Sequence, residues 1–221
     1  MTSLKTISLT LATGVNGLVL EERPLGLYVD ATEIAFRLNA RESRTIELVA
    51  TEFGAPKAGV KLGLALLIGT PASAITFPAS VTTGANGRAS VKIDAGNPGT
   101  PRGFIDGQVY QIGFFIAPAP ISPSNFRGKV IVKIFDELAP VASPTWTANV
   151  EPIFKEFARL YPSMKARFDL SDLAQVKSRL VIIKAFMQMP QTDFSYMPVS
   201  RDLSKAKIDM IIKWIDAGGP L

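Results

Sequence analysis

The 221-residue chain contains no cysteine and no histidine. Without cysteine there is no disulfide, no thiol nucleophile, no iron–sulfur cluster and no thioether-linked haem. Without histidine the chain lacks the commonest transition-metal ligand and the usual general base near neutral pH. Charge is scarce too: 19% of residues are charged against 47% hydrophobic, with a net charge of +5. That balance supports a buried core and argues against disorder. No basic run and no basic–aromatic interleaving marks a nucleic-acid face. A carboxylate-only Mg²⁺ or Ca²⁺ site needs clustered acids, and here they are scattered. The longest apolar run, Leu62 to Ile68, is too short to span a bilayer. Lys5 is the only basic residue among the first 20, and Ser, Thr and Asn interrupt their apolar stretches, so no signal peptide is expected. The expected compartment is the cytoplasm for the chain as written and the periplasm for a processed form. No cofactor, metal, nucleic acid or membrane span is expected, and no enzymatic activity.

What is present falls into two periodicities. Up to about residue 140 apolar residues alternate: Ile34, Phe36 and Leu38 on one face, then Ile46 and Leu48, then Val60 to Leu66. Further strands are expected at Leu4–Leu11, at Leu18–Leu20 or Leu25–Val29, and at Ala74–Phe77, Ala89–Ile93, Val109–Ile116 and Val130–Phe135. Turn signals separate them at Asn39–Ser43, Phe53–Pro56, Gly84–Gly87 and Asn97–Gly99. Many short alternating strands between Gly, Pro and Asn turns predict an antiparallel sandwich.

Three segments carry a family resemblance. Arg37-Leu38-Asn39-Ala40-Arg41-Glu42-Ser43, Pro56 followed by Gly59-Val60, and Thr82-Thr83-Gly84-Ala85-Asn86-Gly87-Arg88-Ala89-Ser90-Val91 together resemble bacterial immunoglobulin-like repeats of the invasin type. The resemblance implies an immunoglobulin-like β-sandwich over residues 1–140, with a strand opening at Gly59-Val60 and a hairpin at Asn86-Gly87. Independently, Asn-Gly tolerates the positive φ angles of a tight primed turn.

Two prolines mark residues 141–145 and their approach, from Leu138 to Pro144, as a linker. Beyond it the period becomes 3.6. Val150, Ile153, Phe154, Phe157, Ala158 and Tyr161 share one helix face, with Thr147 or Asn149 as cap and Tyr161-Pro162 as stop. A second helix runs from Ser171-Asp172 to Met189-Pro190 on a stripe of Leu173, Val176, Leu180, Ile183 and Met187. A last helix starts at Ser204, buries Ile208, Ile211, Ile212 and Ile215 on a face that Trp214 broadens, and ends at Gly218-Gly219. Val150-Glu151-Pro152-Ile153-Phe154 and the closing Trp214-Ile215-Asp216-Ala217-Gly218-Gly219-Pro220 resemble the two ends of a c-type cytochrome domain. In that register Ala158 and Tyr161 stand where the haem-attaching cysteines would be. Pro162 stands in place of the axial histidine, and Met197 at the position of the second axial ligand. The resemblance implies a haem-less cytochrome-c-like module over residues 146–221. The vacated haem volume is expected to be refilled by Tyr161, Phe168, Phe186, Met187, Met189, Phe194, Tyr196 and Met197, since close-packed interiors do not tolerate large voids.

The fold class expected is therefore α+β in two domains. Catalytic patterns are weak: Tyr161 with Lys165 lacks a dinucleotide loop, and Ser204-Lys205-Ala206-Lys207 reads as a helix cap. Asp193, Asp202 and Asp216 sit where ordinary capping suffices. The function expected from elimination and architecture is that of a non-catalytic accessory or assembly subunit. Its partner would be a protein, such as an oxidase or other metalloenzyme, or a second copy of the chain. Candidate contacts are Phe115, Ile116, Pro118 and Pro120 in one segment and Tyr196, Met197 and Arg201 in another. The alternatives are a small-molecule binding protein that uses the vacated haem pocket, and a surface or adhesion module.

Overall fold

The computed structural model describes residues 10–15, 17–21, 24–103 and 105–221. By internal contacts the chain forms two compact units. One comprises the described residues up to Asn97 together with Gln108–Ile134, the other Pro98–Gly107 with Phe135–Leu221. Periodicity alone places the boundary at residue 140 and keeps residues 98–107 in the first domain.

In the first unit β1 (Thr10–Thr13) and β2 (Gly17–Glu21) form an antiparallel pair. The strand expected at Leu4–Leu11 lies largely outside the described residues. One five-stranded sheet contains β3 (Leu27–Ala31), β5 (Ser43–Glu52), β10 (Arg88–Ala95) and β8 (Ile75–Thr76) in that order, with β6 (Ala55–Pro56) also on β5. The other has the order β4 (Ala35–Leu38), β12 (Phe126–Ile134), β11 (Gln108–Ile116), β7 (Lys61–Ile68), β9 (Ser80–Thr82). Alternation sets the inward faces: Ile46 and Leu48 of β5 stand opposite Val91 and Ala89 of β10, and all four are buried. Buried residues from both sheets, Leu48, Val91, Leu62, Tyr110 and Val132 among them, make one core. Each large apolar side chain buried there contributes about 1.5–3 kcal/mol.

Three expectations are corrected in this unit. Ile34 does not share the inward face of Phe36 and Leu38; it precedes the strand and is 63% exposed. The pairing is not wholly antiparallel, because β4 runs parallel to β12. The Asn86-Gly87 turn, closed by Gly87 N–H to Gly84 O and Gly84 N–H to Arg88 O at 2.9 Å each, is not a hairpin between paired strands. β9 pairs with β7, whereas β10 pairs with β5 and β8, so the turn carries the chain from one sheet to the other. Asn39–Glu42 makes a second crossing. There the Glu42 carboxylate accepts from the Asn39 backbone and side chain, and Arg41 N–H reaches Ala95 O at 2.8 Å. A chain that leaves β4 for the other sheet cannot return beside it as a hairpin, which leaves the edge of β4 to β12. The expected opening at Gly59-Val60 is held by Thr83, whose hydroxyl accepts from Val60 N–H at 3.0 Å.

The second unit is helical: α1 (Glu151–Leu160), α2 (Leu173–Lys177), α3 (Leu180–Gln188) and α4 (Lys205–Asp216). A wide π turn, Trp146–Val150, precedes α1. Its cap is Thr145 instead of Thr147 or Asn149: Thr145 Oγ1 accepts from Ala148 N–H, while Asn149 Oδ1 accepts from Thr145 N–H at 2.9 Å. The second predicted helix is broken in two. Ser178 Oγ donates to Gln175 O at 2.7 Å, a side chain competing with the backbone ladder at the break. Asp172 and Ser204 cap α2 and α4 as expected. Trp214, which the sequence pattern places at the margin of the α4 face, is instead central and fully buried beside Trp146, with Phe154, Val176 and Ile211 around it. Among the described residues no helix is long and apolar enough to cross a membrane.

Candidate functional site

Phe154, Phe157 and Tyr161 follow one another along a single face of α1 and its exit. The Phe157 and Tyr161 rings stack with centroids 6.2 Å apart and an interplanar angle of 6°. Pro162, exposed, opens a tight turn through Ala166, and Phe168 N–H closes back on Met164 O at 2.9 Å. Ile183 and Met187 of α3 face the same space. The remaining wall comes from the segment between α3 and α4, which Arg201 holds together. Its guanidinium donates to Gln191 O at 3.0 Å and Asp193 O at 2.8 Å, and to Val199 O. It also lies 5.8 Å over the Tyr196 ring. Met197 N–H ties this segment to α3 through Phe186 O at 3.2 Å.

These elements line a partly open cavity of about 270 Å³. Apart from Ser163 and the Tyr161 hydroxyl, every side chain on its walls is apolar. The expectation of a refilled core is thereby corrected. Tyr161, Phe168, Met187 and Met197 stand around a space instead of occupying it, and Phe194 is 90% exposed; of the expected set, Tyr196 does lie in the core and Met189 packs against it. The reason lies in the short helices and turn-rich walls, which place the rings at the rim and leave no long side chain to cross the gap. Burial pushes the Tyr196 phenol up from its ordinary pKa.

A polar cleft of about 320 Å³ adjoins this cavity, and Tyr161, Met164, Phe168 and Leu170 line both. Lys155, Arg159, Lys165 and Asp169 supply its charge. The Ser171 hydroxyl, donating to Asp169 at 2.6 Å, and the Ser171 N–H at 2.9 Å hold the Asp169 carboxyl below the usual carboxylate range, with Lys165 adding to the effect.

Two buried carboxylates that no sequence pattern singles out lie elsewhere in this unit. Asp136 accepts from Thr100 N–H at 3.0 Å and Gly107 N–H at 2.8 Å. Asp106 accepts from Ser204 N–H at 3.0 Å and pairs with Lys207 at 3.2 Å. Together they fasten the segment between β10 and β11 to the start of α4. The Ser-x-x-Lys spacing is thus a cap plus an ion pair, with Lys207 turned to Asp106. Replacing Asp136 by Ala orphans two backbone donors at a cost of about 3 kcal/mol. Hydrogen exchange of the amides in residues 98–107 should speed up accordingly, and about half as much in Asp136→Asn, which keeps one acceptor. Unchanged protection in Asp136→Ala would refute this role.

Of the haem-register positions, Tyr161 and Met197 meet at the cavity, Ala158 lines the polar cleft, and Pro162 lines neither. The side chains at these positions cannot attach a haem through thioethers. Among the described residues no group of three or more His, Cys, Asp or Glu gathers as a metal site. The candidate contacts divide. Phe115 and Tyr196 are buried, which corrects their reading as contact residues. Phe115 and Ile116 end β11, paired with Gly63 and Leu62 of β7. Phe115 packs edge-on against Phe126 at 5.8 Å, over the space that a glycine leaves at position 63. Pro118 and Pro120 are exposed, while Ile116, Met197 and Arg201 are half-buried.

No family model matches the chain, and no curated protein matches it. Solved structures similar to it include the D00-D0 domain of intimin, with 14% identity and a TM-score of 0.32 over 50% of this chain and 46% of that one. Domains 4 and 5 of the S-layer protein SbsC share 9% identity at a TM-score of 0.34, over 48% of this chain and 50% of that one. The Yersinia pseudotuberculosis adhesin InvE shares 11% at 0.31, over 51% of this chain and 32% of that one. The chain spans about half the length, or less, of these structures. No comparison supports the cytochrome-c-like reading of the C-terminal half. Likenesses at these scores decide neither fold nor activity.

Proposed function

We propose that this chain is a non-catalytic binding protein whose helical unit takes a small, largely apolar molecule in the cavity beside Met197. The observation that carries the reading is the cavity itself: about 270 Å³ with almost wholly apolar walls, in a chain without cysteine or histidine. Pockets of this kind bind by apolar burial, with a few polar groups setting orientation. The meeting of Tyr161 and Met197 at one cavity supports a haem-less cytochrome-like shape for the helical unit. The two five-stranded sheets around one core support an immunoglobulin-like sandwich as its carrier. That sandwich favours a second reading, a surface or adhesion module. No described residue points to an oxidase or other metalloenzyme as partner.

Titration with the neutral apolar dye N-phenyl-1-naphthylamine tests the proposal. One-to-one saturation is expected, and free dye at 100 times its Kd should stabilise the helical unit by about 2.7 kcal/mol. Met187→Trp, which fills the cavity from its wall, should weaken binding at least about tenfold, a loss of about 1.4 kcal/mol, while keeping its melting temperature. Dye uptake that never saturates, or that Met187→Trp leaves unchanged, would sink the reading.

A further inference from the structure

The apolar cavity and a charged cleft share four wall residues, Tyr161, Met164, Phe168 and Leu170. Three cations line that cleft, Lys155, Arg159 and Lys165, against one carboxylate, Asp169. Asp169 is already engaged by the Ser171 hydroxyl and N–H. The cations have partners, but weak ones: Lys155 pairs with Glu151 at 2.9 Å, Arg159 with Glu156 at 3.7 Å and Lys165 with Asp169 at 3.4 Å. Their side chains remain 52%, 73% and 77% exposed. Exposed pairs of this kind are worth about 0–1 kcal/mol each, so the cations can turn to a ligand at small cost. Glu151 and Glu156 do not line the cleft.

An apolar chamber that shares a wall with a cationic cleft matches one class of small molecule. We propose that the site takes a free single-chain anionic amphiphile, a medium-chain carboxylic acid. Its chain lies in the cavity and its carboxylate in the cleft beside Lys155, Arg159 and Lys165. This assignment rests on the reading of the cavity as a ligand site. A neutral hydrophobe would leave the cleft unused, and a cationic amphiphile would be repelled by it.

Calorimetric titration of the full chain, below each ligand's critical micelle concentration, tests the head and the tail separately. From octanoate to decanoate the Kd should tighten about fourfold for each added methylene that is buried. Decanoate should bind about tenfold more tightly than decan-1-ol, and decyltrimethylammonium more weakly than either. The triple variant Lys155→Ala/Arg159→Ala/Lys165→Ala should lose the preference for the acid and bind decan-1-ol as before; the unchanged alcohol affinity also shows that the fold survives. Equal affinity for acid and alcohol, an acid preference that persists in the triple variant, or equally tight binding of the cationic amphiphile would each overturn the head-group assignment while leaving the cavity reading intact. No saturable binding of any of these four ligands would remove the cavity reading and this inference with it. Co-sedimentation with phosphatidylglycerol vesicles without saturable binding of monomeric decanoate would assign the cations to a membrane surface and overturn the proposal.

Discussion

Trp214→Ala should cost the helical unit about 4–5 kcal/mol, the largest loss expected from a single side chain in this protein. Trp214 is fully buried, lies 5.6 Å from the Trp146 ring, and donates its indole N–H to Pro220 O at 2.8 Å. Trp146 N–H reaches the same carbonyl at 2.9 Å, and Gly219 N–H caps Trp214 O at 3.0 Å. One ring therefore fills the core centre and also holds the chain's last turn against the start of the π turn at Trp146. Truncation removes the packing and orphans part of that network, in a unit whose helices have only 5 to 12 residues each. Helices so short have little stability of their own. Trp146 and Trp214 are the chain's only tryptophans, so fluorescence reports on this unit alone. The remaining Trp146 should emit at longer wavelength, with a large drop in urea midpoint. Trp214→Phe keeps an aromatic ring without the N–H donor and should lose only about 1–2 kcal/mol more than its packing change. Native-like emission and midpoint in Trp214→Ala would contradict the account.

Gly87→Ala should destabilise the sheet unit by about 3 kcal/mol, of which roughly 1–2 kcal/mol is the left-handed backbone itself. Gly87 has φ +71°, and a Cβ there would meet Ala50 O at 2.5 Å and Lys57 N at 2.9 Å. Both are backbone atoms, Ala50 within β5 and Lys57 just after β6, and cannot swing aside as the end of a side chain could. Gly87 O also accepts from Ala50 N–H at 2.7 Å, so any shift breaks a ladder bond of β5. Gly54 supplies the control, with φ +82° and nothing within 4 Å of the position a methyl group would take. Gly54→Ala should show the conformational strain alone. Urea unfolding followed by circular dichroism near 218 nm separates the two variants, and equal losses at both positions would show that the close approach at Gly87 contributes nothing.

The turn around Gly87 also illustrates how far local pattern reaches. Asn86-Gly87 marks a tight turn in any context, because its φ requirement is met within two residues. Which strands the turn joins depends on partners well outside it: Arg88 stands opposite Val49, and Ser80 opposite Gly63. The same holds for β4, whose alternation is visible but whose parallel partner, β12, lies nearly a hundred residues on. Ile34 fits the alternation and is nevertheless exposed, because the strand begins after it. In the helical half, the caps Asp172 and Ser204 act over two or three residues and can be read directly from the chain. The break between α2 and α3 could not be read in this way, since Ser178 is equally compatible with a continuous helix until its hydroxyl finds Gln175 O.

The candidate site follows the same division. Missing cysteine and histidine, the change of period near residue 140, the turn residues and the caps Asp172 and Ser204 are properties of composition or of windows a few residues long, and the sequence alone determined them. Tertiary structure decided the sheet in which each strand pairs and the burial of Asp106 and Asp136. It also decided whether the aromatic and methionine side chains of the C-terminal half would fill a space or surround one. Those outcomes depend on distances between residues remote in sequence. Phe157, Phe168 and Met187 read as core residues in any one-dimensional pattern, and only the placement of four short helices and their connecting turns makes them the walls of a cavity.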